Sequence, residues 1–278
     1  MESKQKLNIS QSLIKKIWEY ESGKECGIKV KEIDILKNKP SISTKPMKLG
    51  QYFEYLCTGA LLRDGSIPEM PTTNAGKPTA DALRAKKQSE NFKSMVEHYG
   101  FDIIDSNKVI TVPIDDNYNL KVVLDVLISN QDGKIAMLDI KFTGLLDDKW
   151  NDIGWDSSRF YQRDKLKIQP IMYKHVMEKA EDVPNMDFLY AIFSSKNDTD
   201  YQIWEAAIDN YDVVMRELKE EIIPNVKKYL DDMSLLEPKP EYKRCMYCPL
   251  KDECAYVAKH PEIIKTHIYD VKYESESS

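Results

Sequence analysis

The order of periodicities in this 278-residue chain predicts an α/β fold with a mixed central sheet flanked by helices. Three observations carry that expectation. Short β-branched runs with period-two alternation crowd the segment from 108 to 142. Apolar residues at helical spacing precede and follow that segment. Strand-like runs then return at 187 and 201, after an intervening helix, so the sheet cannot be a plain meander. With 42% hydrophobic and 31% charged residues the composition is globular. No apolar run approaches the roughly 18 residues of a membrane span, and the start, MESKQKLNISQSL, lacks the features of a secretory signal, so the cytoplasm is the expected compartment.

Taken in order, Ser10-Gln-Ser12 caps a first helix whose apolar face is Leu13, Ile14, Ile17 and Trp18, ending near Gly23. Lysine-rich coil is expected through Pro40 and Pro46, then a second helix from Leu49 to Leu62. Gly65, Pro68, Pro71, Gly76 and Pro78 mark a loop. Residues 79–99 form a third helix with a basic strip at Arg84, Lys86 and Lys87. Residues 108–114, 120–129 and 134–142 read as a three-stranded meander joined by Asp-Asp-Asn and Asp-Gly turns. An aromatic segment with Trp150 and Trp155 follows, either a stacking platform or a packed lid, and then a helix over 158–179. Two strands precede a long acidic helix at 209–231, and Pro238 and Pro240 lead to the last cysteines. The expected organisation is one domain over 1–278: an N-terminal helix and first cysteine in 10–48, a core in 49–208, a helix and cysteine cluster in 209–260, and a frayed tail at 273–278.

Two meander strands each carry one acid in apolar surroundings, Asp125 in VVLDVLI and Asp139 in AMLDIKF. A carboxylate there costs several kcal/mol unless it is paired or metal-bound. Lys141 shares a face with Asp139, two residues away. If Asp125 faces them across the hairpin, a divalent ion and an ammonium share one pocket, the layout that metal-assisted phosphodiester hydrolysis needs. The plainer alternative is a surface pair of Asp139 with Lys141. Gly50-Gln-Tyr-Phe-Glu54 adds a helical carboxylate upstream, and Gln169-Pro-Ile-Met-Tyr173 an amide and a phenol on one helical face downstream.

In this order the residues resemble the RecB-like branch of the PD-(D/E)xK nucleases, whose core is restriction-endonuclease-like. That branch places a helical G-x-x-x-E/H before a strand Asp, D/E-x-K on the next strand, and a helical Q-x-x-x-Y. The resemblance spans residues 10–258. It implies that Glu54, Asp125, Asp139 and the Ile140 carbonyl hold Mg²⁺ or Mn²⁺, that Lys141 serves the attacking water, and that Gln169 and Tyr173 contact nucleic acid or brace the site. It implies a deoxyribonuclease, an exonuclease on single strands or duplex ends, of a kind that works with helicase, recombinase or CRISPR-adaptation partners or is phage-encoded. Two departures stand out: Leu124 replaces the proline before Asp125, and Glu54 stands where many relatives have histidine. A non-catalytic DNA-binding module and a restriction-type endonuclease are the rival readings.

Of five cysteines, Cys245, Cys248 and Cys254 have the spacing C-x₂-C-x₅-C and need a fourth ligand. The same resemblance, in its iron–sulfur members, supplies it from just after the first helix, where Cys26 lies; the implied group is a structural 4Fe-4S cluster. Zinc is the alternative, with Cys26, His260 or His267 completing the set. Cys57, on the apolar side of the second helix, reads as a buried free thiol.

The net charge of −6 argues at first against a nucleic-acid partner, yet the charge is unevenly spread. Residues 180–241 hold 6 basic and 15 acidic side chains, and residues 159–179 hold 6 and 2. Arg159, Arg163, Lys165, Lys167 and Lys174, with Phe160 and Tyr161 among them, are a candidate backbone-tracking and base-stacking surface, or else a solvated helix face.

Overall fold

A computed structural model describes residues 6–40, 43–62, 64–144, 161–181 (the first seven as backbone), 183, 186–206, 210–261 and 263. The meander is present and longer than its β-branched cores: β2 (Asp102–Pro113), β3 (Tyr118–Ser129) and β4 (Ile135–Thr143) pair antiparallel in chain order. Its turns use the polar residues that marked them. The Asp115 carboxylate accepts from the amides of Asn117 and Tyr118 at 2.8 and 3.0 Å. The Asn130 side chain accepts at Oδ1 from the amides of Asp132 and Lys134 at 3.0 and 2.8 Å, with Gly133 at φ +77°.

Three further strands complete a mixed six-stranded sheet. β1 (Leu7–Ser10) lies parallel to β3, β5 (Asp187–Ser194) parallel to β4, and β6 (Tyr201–Glu205) antiparallel to β5. β1 has only four residues and no alternation long enough to be read from the sequence; Ile9, fully buried, is its anchor.

Period two then sorts the side chains. Val126, Ile128, Ala136, Leu138 and Ile140 share one core with Phe53 of α3 (Lys45–Thr58) and Phe92 of α4 (Ala80–His98). Phe53 stacks on Phe142 with ring centroids 4.6 Å apart. The opposite face packs against α5 (Tyr161–Glu181), where Tyr173 meets Phe188 edge to face at 5.6 Å. Helices on both faces of the sheet agree with the predicted class.

The helices depart from expectation in three places. α3 begins at Lys45, four residues early, because Pro46 sits in its first turn, where no amide hydrogen is needed, and Thr44 caps Met47. It stops at Thr58 because Gly59 takes the left-handed conformation, φ +78°. The expected coil after Gly23 contains α2, a turn at Gly27–Lys29 that widens into a π-helix over Val30–Ile35 and buries Val30 and Ile33. The acidic helix is built from α6 (Tyr211–Glu217), a π-turn at Leu218–Ile222 and α7 (Ile223–Asp231).

The chain divides into two compact units, residues 1–11 with 43–218, which hold the sheet, and residues 12–42 with 219–278. In the second unit α1 (Gln11–Glu21) buries Leu13, Ile14, Ile17 and Tyr20, so Tyr20 takes the place expected of Trp18. The Tyr20 hydroxyl donates to the Leu235 carbonyl at 2.7 Å and accepts from the Glu237 amide at 3.1 Å. Gly27 lies so close to the backbone of Leu236 and Glu237 that a Cβ would stand 2.4 Å from both. Two short helices follow, α8 (Tyr242–Met246) and α9 (Ala255–Lys259). Among the described residues no helix is long and apolar enough to cross a membrane. The 273–278 tail, Trp150, Trp155 and Phe160 lie outside the described residues.

Candidate active site and cysteine cluster

The site arises where the sheet opens. β3 pairs with β2 along nearly its whole length. Its other edge is divided: β1 pairs with Tyr118–Lys121 and β4 with Val126–Ser129. Residues 122–125 therefore face no strand on that edge, and their polar backbone groups need other partners. The Tyr173 hydroxyl donates to the Val123 carbonyl at 3.0 Å. The amide of Ile140, on the strand that has just left the pairing, donates to Oδ2 of Asp125 at 2.9 Å.

Asp139 lies on the diverging part of β4 and is 4% exposed. Gln169, itself buried, donates from Nε2 to its Oδ1 at 2.7 Å. Its Oδ2 is buried and ion-paired with the Lys141 ammonium. Glu54, half-buried on α3, is the third acid: its carboxyl is raised by burial, lowered by Lys141 and raised again by Asp139. Asp125 is pushed up to about 8, first by burial, then by repulsion from Asp139, against the pull of Lys141. Burial works against the Lys141 ammonium, yet Asp139 and Asp125 together hold its pKa above the usual lysine value. Burial, and then the same two acids, raise the Tyr173 phenol.

Glu54, Asp125, Asp139, Lys141, Gln169 and Tyr173 thus form one electrostatic cluster. Gln169 and Tyr173 hold the acid-bearing strands. The sequence reading missed Tyr190, the residue opposite Asp139 in the parallel β4–β5 register, 7% exposed and in edge contact with Phe188 at 5.0 Å. Only the register could have pointed to it.

Of the candidate nucleic-acid residues, Lys174 is half-buried on the described part of α5. The side chains of Arg163, Lys165 and Lys167, and all of Arg159, lie outside the described residues. The basic strip of α4 is partly committed: Arg84 binds the Ser195 carbonyl at 2.6 Å and Asp81 at 2.9 Å, and Lys87 pairs with Glu90 at 2.9 Å.

The cysteines of the second unit come from both of its chain segments. Cys26 caps α2, and its amide donates to the Glu25 carboxylate at 3.0 Å. Glu25 is 6% exposed and paired with Lys29 at 2.6 Å and Lys16 at 3.7 Å. Burial would raise this carboxyl, but the bonds from Lys29 and Cys26 hold it below the usual range. Cys245 is on α8, Cys248 in the turn after it, and Cys254 caps α9. The Cys248 thiol is raised by burial, lowered by Lys29, and raised by Cys26 and Cys254, so these three thiols are neighbours. Lys39–Glu253 at 2.7 Å and Arg244 to the Gly23 carbonyl at 2.8 Å join the same segments. His260 packs its ring on Tyr256 at 4.6 Å, and His267 lies outside the described residues. Cys57 is buried, its thiol pushed well up by desolvation, as expected of an inert core thiol. Among the described residues no three His, Cys, Asp or Glu side chains form a ready-made set of metal ligands.

No protein-family model and no curated protein sequence matches the chain. A solved structure, named "Putative exonuclease", from Eubacterium rectale is similar over 88% of this chain and 87% of its own, at 20% identity and a TM-score of 0.58. A second, SSO0001, covers 91% of this chain and 88% of its own at 13% identity and a TM-score of 0.37. The first shares the fold of this chain.

Proposed function

We propose that the protein is a metal-dependent deoxyribonuclease of the RecB-like type, acting as an exonuclease on DNA ends or single strands. The observation that carries this is the Asp125, Asp139 and Lys141 cluster at the opening of the sheet, braced by Gln169 and Tyr173. It sits toward the carboxyl end of β4, where open α/β sheets place their ligands. The fold shared with a protein named as an exonuclease adds support. A decayed, non-catalytic relative has no reason to keep two desolvated acids and a lysine in one pocket.

The donor chemistry suits a divalent cation, although among the described residues the side chains do not stand as a ready-made ligand set. The oxygens are hard, and the repulsion that lifts Asp125 is what a bound cation would relieve. Asp125, Asp139, Glu54 and the Ile140 carbonyl would hold Mg²⁺ or Mn²⁺. When bound, the cation supplies Lewis acidity to the scissile phosphate and lowers the pKa of water. Lys141 orients or deprotonates the attacking water and offsets the charge that builds on the phosphate. Gln169 fixes the Asp139 rotamer through Oδ1, and Tyr173 fixes the strand edge beside Asp125. Arg159, Arg163, Lys165, Lys167 and Lys174 would follow the DNA backbone.

Cys26, Cys245, Cys248 and Cys254 are the residues that would hold a structural 4Fe-4S cluster. The observation behind this is that Cys26 neighbours Cys248 and Cys254 from the far end of the sequence. Brown protein containing iron supports the cluster; colourless protein containing zinc overturns it. End-labelled single- and double-stranded DNA incubated with Mg²⁺, Mn²⁺ or EDTA tests the nuclease. Cleavage that needs metal and is lost in Asp139→Ala supports it, and absence of cleavage with either metal sinks it.

A further inference from the structure

The turn between β5 and β6, residues 195–200, lies at the surface, and yet its backbone is pinned. Gln88 of α4, fully buried, shares the hydrogens of its side-chain amide among the carbonyls of Ser194, Asn197 and Asp200 at 3.3, 2.6 and 3.0 Å. Arg84 donates to the Ser195 carbonyl at 2.6 Å, and Asn91 to the Asp198 carbonyl at 2.7 Å. Inside the turn, Ser194 Oγ accepts from the amides of Lys196 and Asn197 at 3.1 and 3.0 Å, and the Asn197 side chain accepts from the Thr199 amide at 2.9 Å. The Asp198 carboxylate faces Arg84 at 3.5 Å, and the Thr199 hydroxyl donates to that of Asp200 at 3.0 Å. These side chains hold the turn itself. Lys196 differs: it is exposed, and among the described residues its ammonium makes no hydrogen bond or ion pair.

The pinned turn stands at the carboxyl end of the strand that carries the site. The Ser195 amide donates to the Thr143 carbonyl at 2.7 Å. Thr143 follows Asp139 and Lys141 at steps of two residues, so the turn begins about 7 Å beyond Lys141 along β4. The Lys196 stem lies over the next residue, Gly144, so closely that a Cβ there would stand 2.9 Å from its Cε. Open α/β sheets hold their ligands outside the carboxyl ends of the strands, and a loop already fixed in one conformation costs a ligand little ordering entropy. We propose that Lys196 is a substrate-binding residue, whose ammonium takes a phosphate of the nucleic-acid strand next to the one that is cut. This rests on the nuclease reading of the Asp125, Asp139 and Lys141 cluster and adds a subsite to it. A lysine meets phosphate as a point charge on a flexible stem, and α4 fixes the base of that stem.

The test separates binding from cleavage. Affinity for a fluorescent single-stranded DNA is measured by anisotropy in EDTA over a series of salt concentrations, for the unaltered protein, Lys196→Met, Lys196→Arg, Gly144→Ala and Lys134→Met. Lys134 pairs with Asp187 at the opposite end of the same two strands and controls for loss of positive charge alone. Lys196→Met is expected to bind about three- to tenfold more weakly, with the slope of log affinity against log salt smaller by about 0.7, the value for one phosphate contact on a single strand. Lys196→Arg should keep both affinity and slope. Gly144→Ala keeps the charge but pushes the flexible stem aside, and should weaken binding at least about twofold. Lys134→Met should change it less than about twofold. In cleavage assays Lys196→Met should raise KM with kcat nearly unchanged, as loss of uniform binding does. An unchanged salt slope in Lys196→Met, or an equal loss in Lys134→Met, overturns the inference and leaves the nuclease reading standing. Unaltered protein that binds DNA but cleaves with neither Mg²⁺ nor Mn²⁺ overturns the nuclease reading, and protein that does not bind overturns both.

Discussion

The two constellations of this molecule bring distant residues together by different means. Asp125, Asp139 and Lys141 stand on long strands and are held there: Asp139 by Gln169 and Lys141, Asp125 by the Ile140 amide, and the strand edge by Tyr173. The cysteines stand on five-residue helices and turns. There the backbone is fixed, at Cys26 by Glu25 and beside it by Gly27, while all five cysteines of the chain are free thiols. The first cluster is thus organised by the sheet itself. On the reading proposed above, the second would owe its final geometry to the group it holds.

The largest effect should come from the first cluster. Asp139→Ala or Lys141→Ala is expected to lower DNA cleavage by about a thousandfold or more, several kcal/mol of transition-state stabilisation, with the circular dichroism spectrum unchanged. Retained cleavage in both would dissolve the contrast at its stronger end. Cys26→Ser should next abolish iron retention after anaerobic reconstitution, read by metal analysis and visible absorbance. Full iron content would mean that the two chain segments do not share a cluster. Gly27→Ala forces a methyl into the Leu236–Glu237 backbone and should cost about 1–3 kcal/mol or more of stability in urea melts.

A further effect concerns pH. Asp125 is raised from an ordinary 3.8 to about 8, so the metal-free protein binds this proton more tightly folded than unfolded. The stabilisation is complete below the unfolded value and is lost as pH rises through the folded one. The melting temperature in EDTA should therefore fall from about pH 5 to about pH 8, and added Mn²⁺ should flatten that slope. A slope that is flat in EDTA would mean that Asp125 is not desolvated. The smallest change is Tyr173→Phe, which removes the donor to the Val123 carbonyl; about 0.5–1.5 kcal/mol of stability and part of the activity should go, measured in the same melts and cleavage assays.

Much of this was legible beforehand, for physical reasons. Strict alternation put Asp139 and Lys141 on one face and Ile140 on the other, and Asp and Asn at the turns announced the hairpins. Gln169 and Tyr173, four apart on a helix, were bound to point the same way. What escaped was set by tertiary context. β1 is too short to carry a period, the π-helix after Gly27 has a period that no helical template matches, and Pro46 starts a helix although it looks like a break. Tyr190 enters the site through the register of two parallel strands, which no single segment encodes.

The second unit is discontinuous in sequence, and that has a consequence for the chain as it is made. Residues 12–42 leave the ribosome before the rest of their own unit, which begins at 219 and has its last cysteine at 254. The sheet unit, closed by residue 218, can complete itself while translation continues at roughly 5–20 residues per second. The N-terminal segment, with Cys26, must wait through that interval with its partners unmade. Of the two units, this one depends on residues made after the sheet, so a chain that stops short of Cys254 would carry a finished sheet and an orphaned first helix.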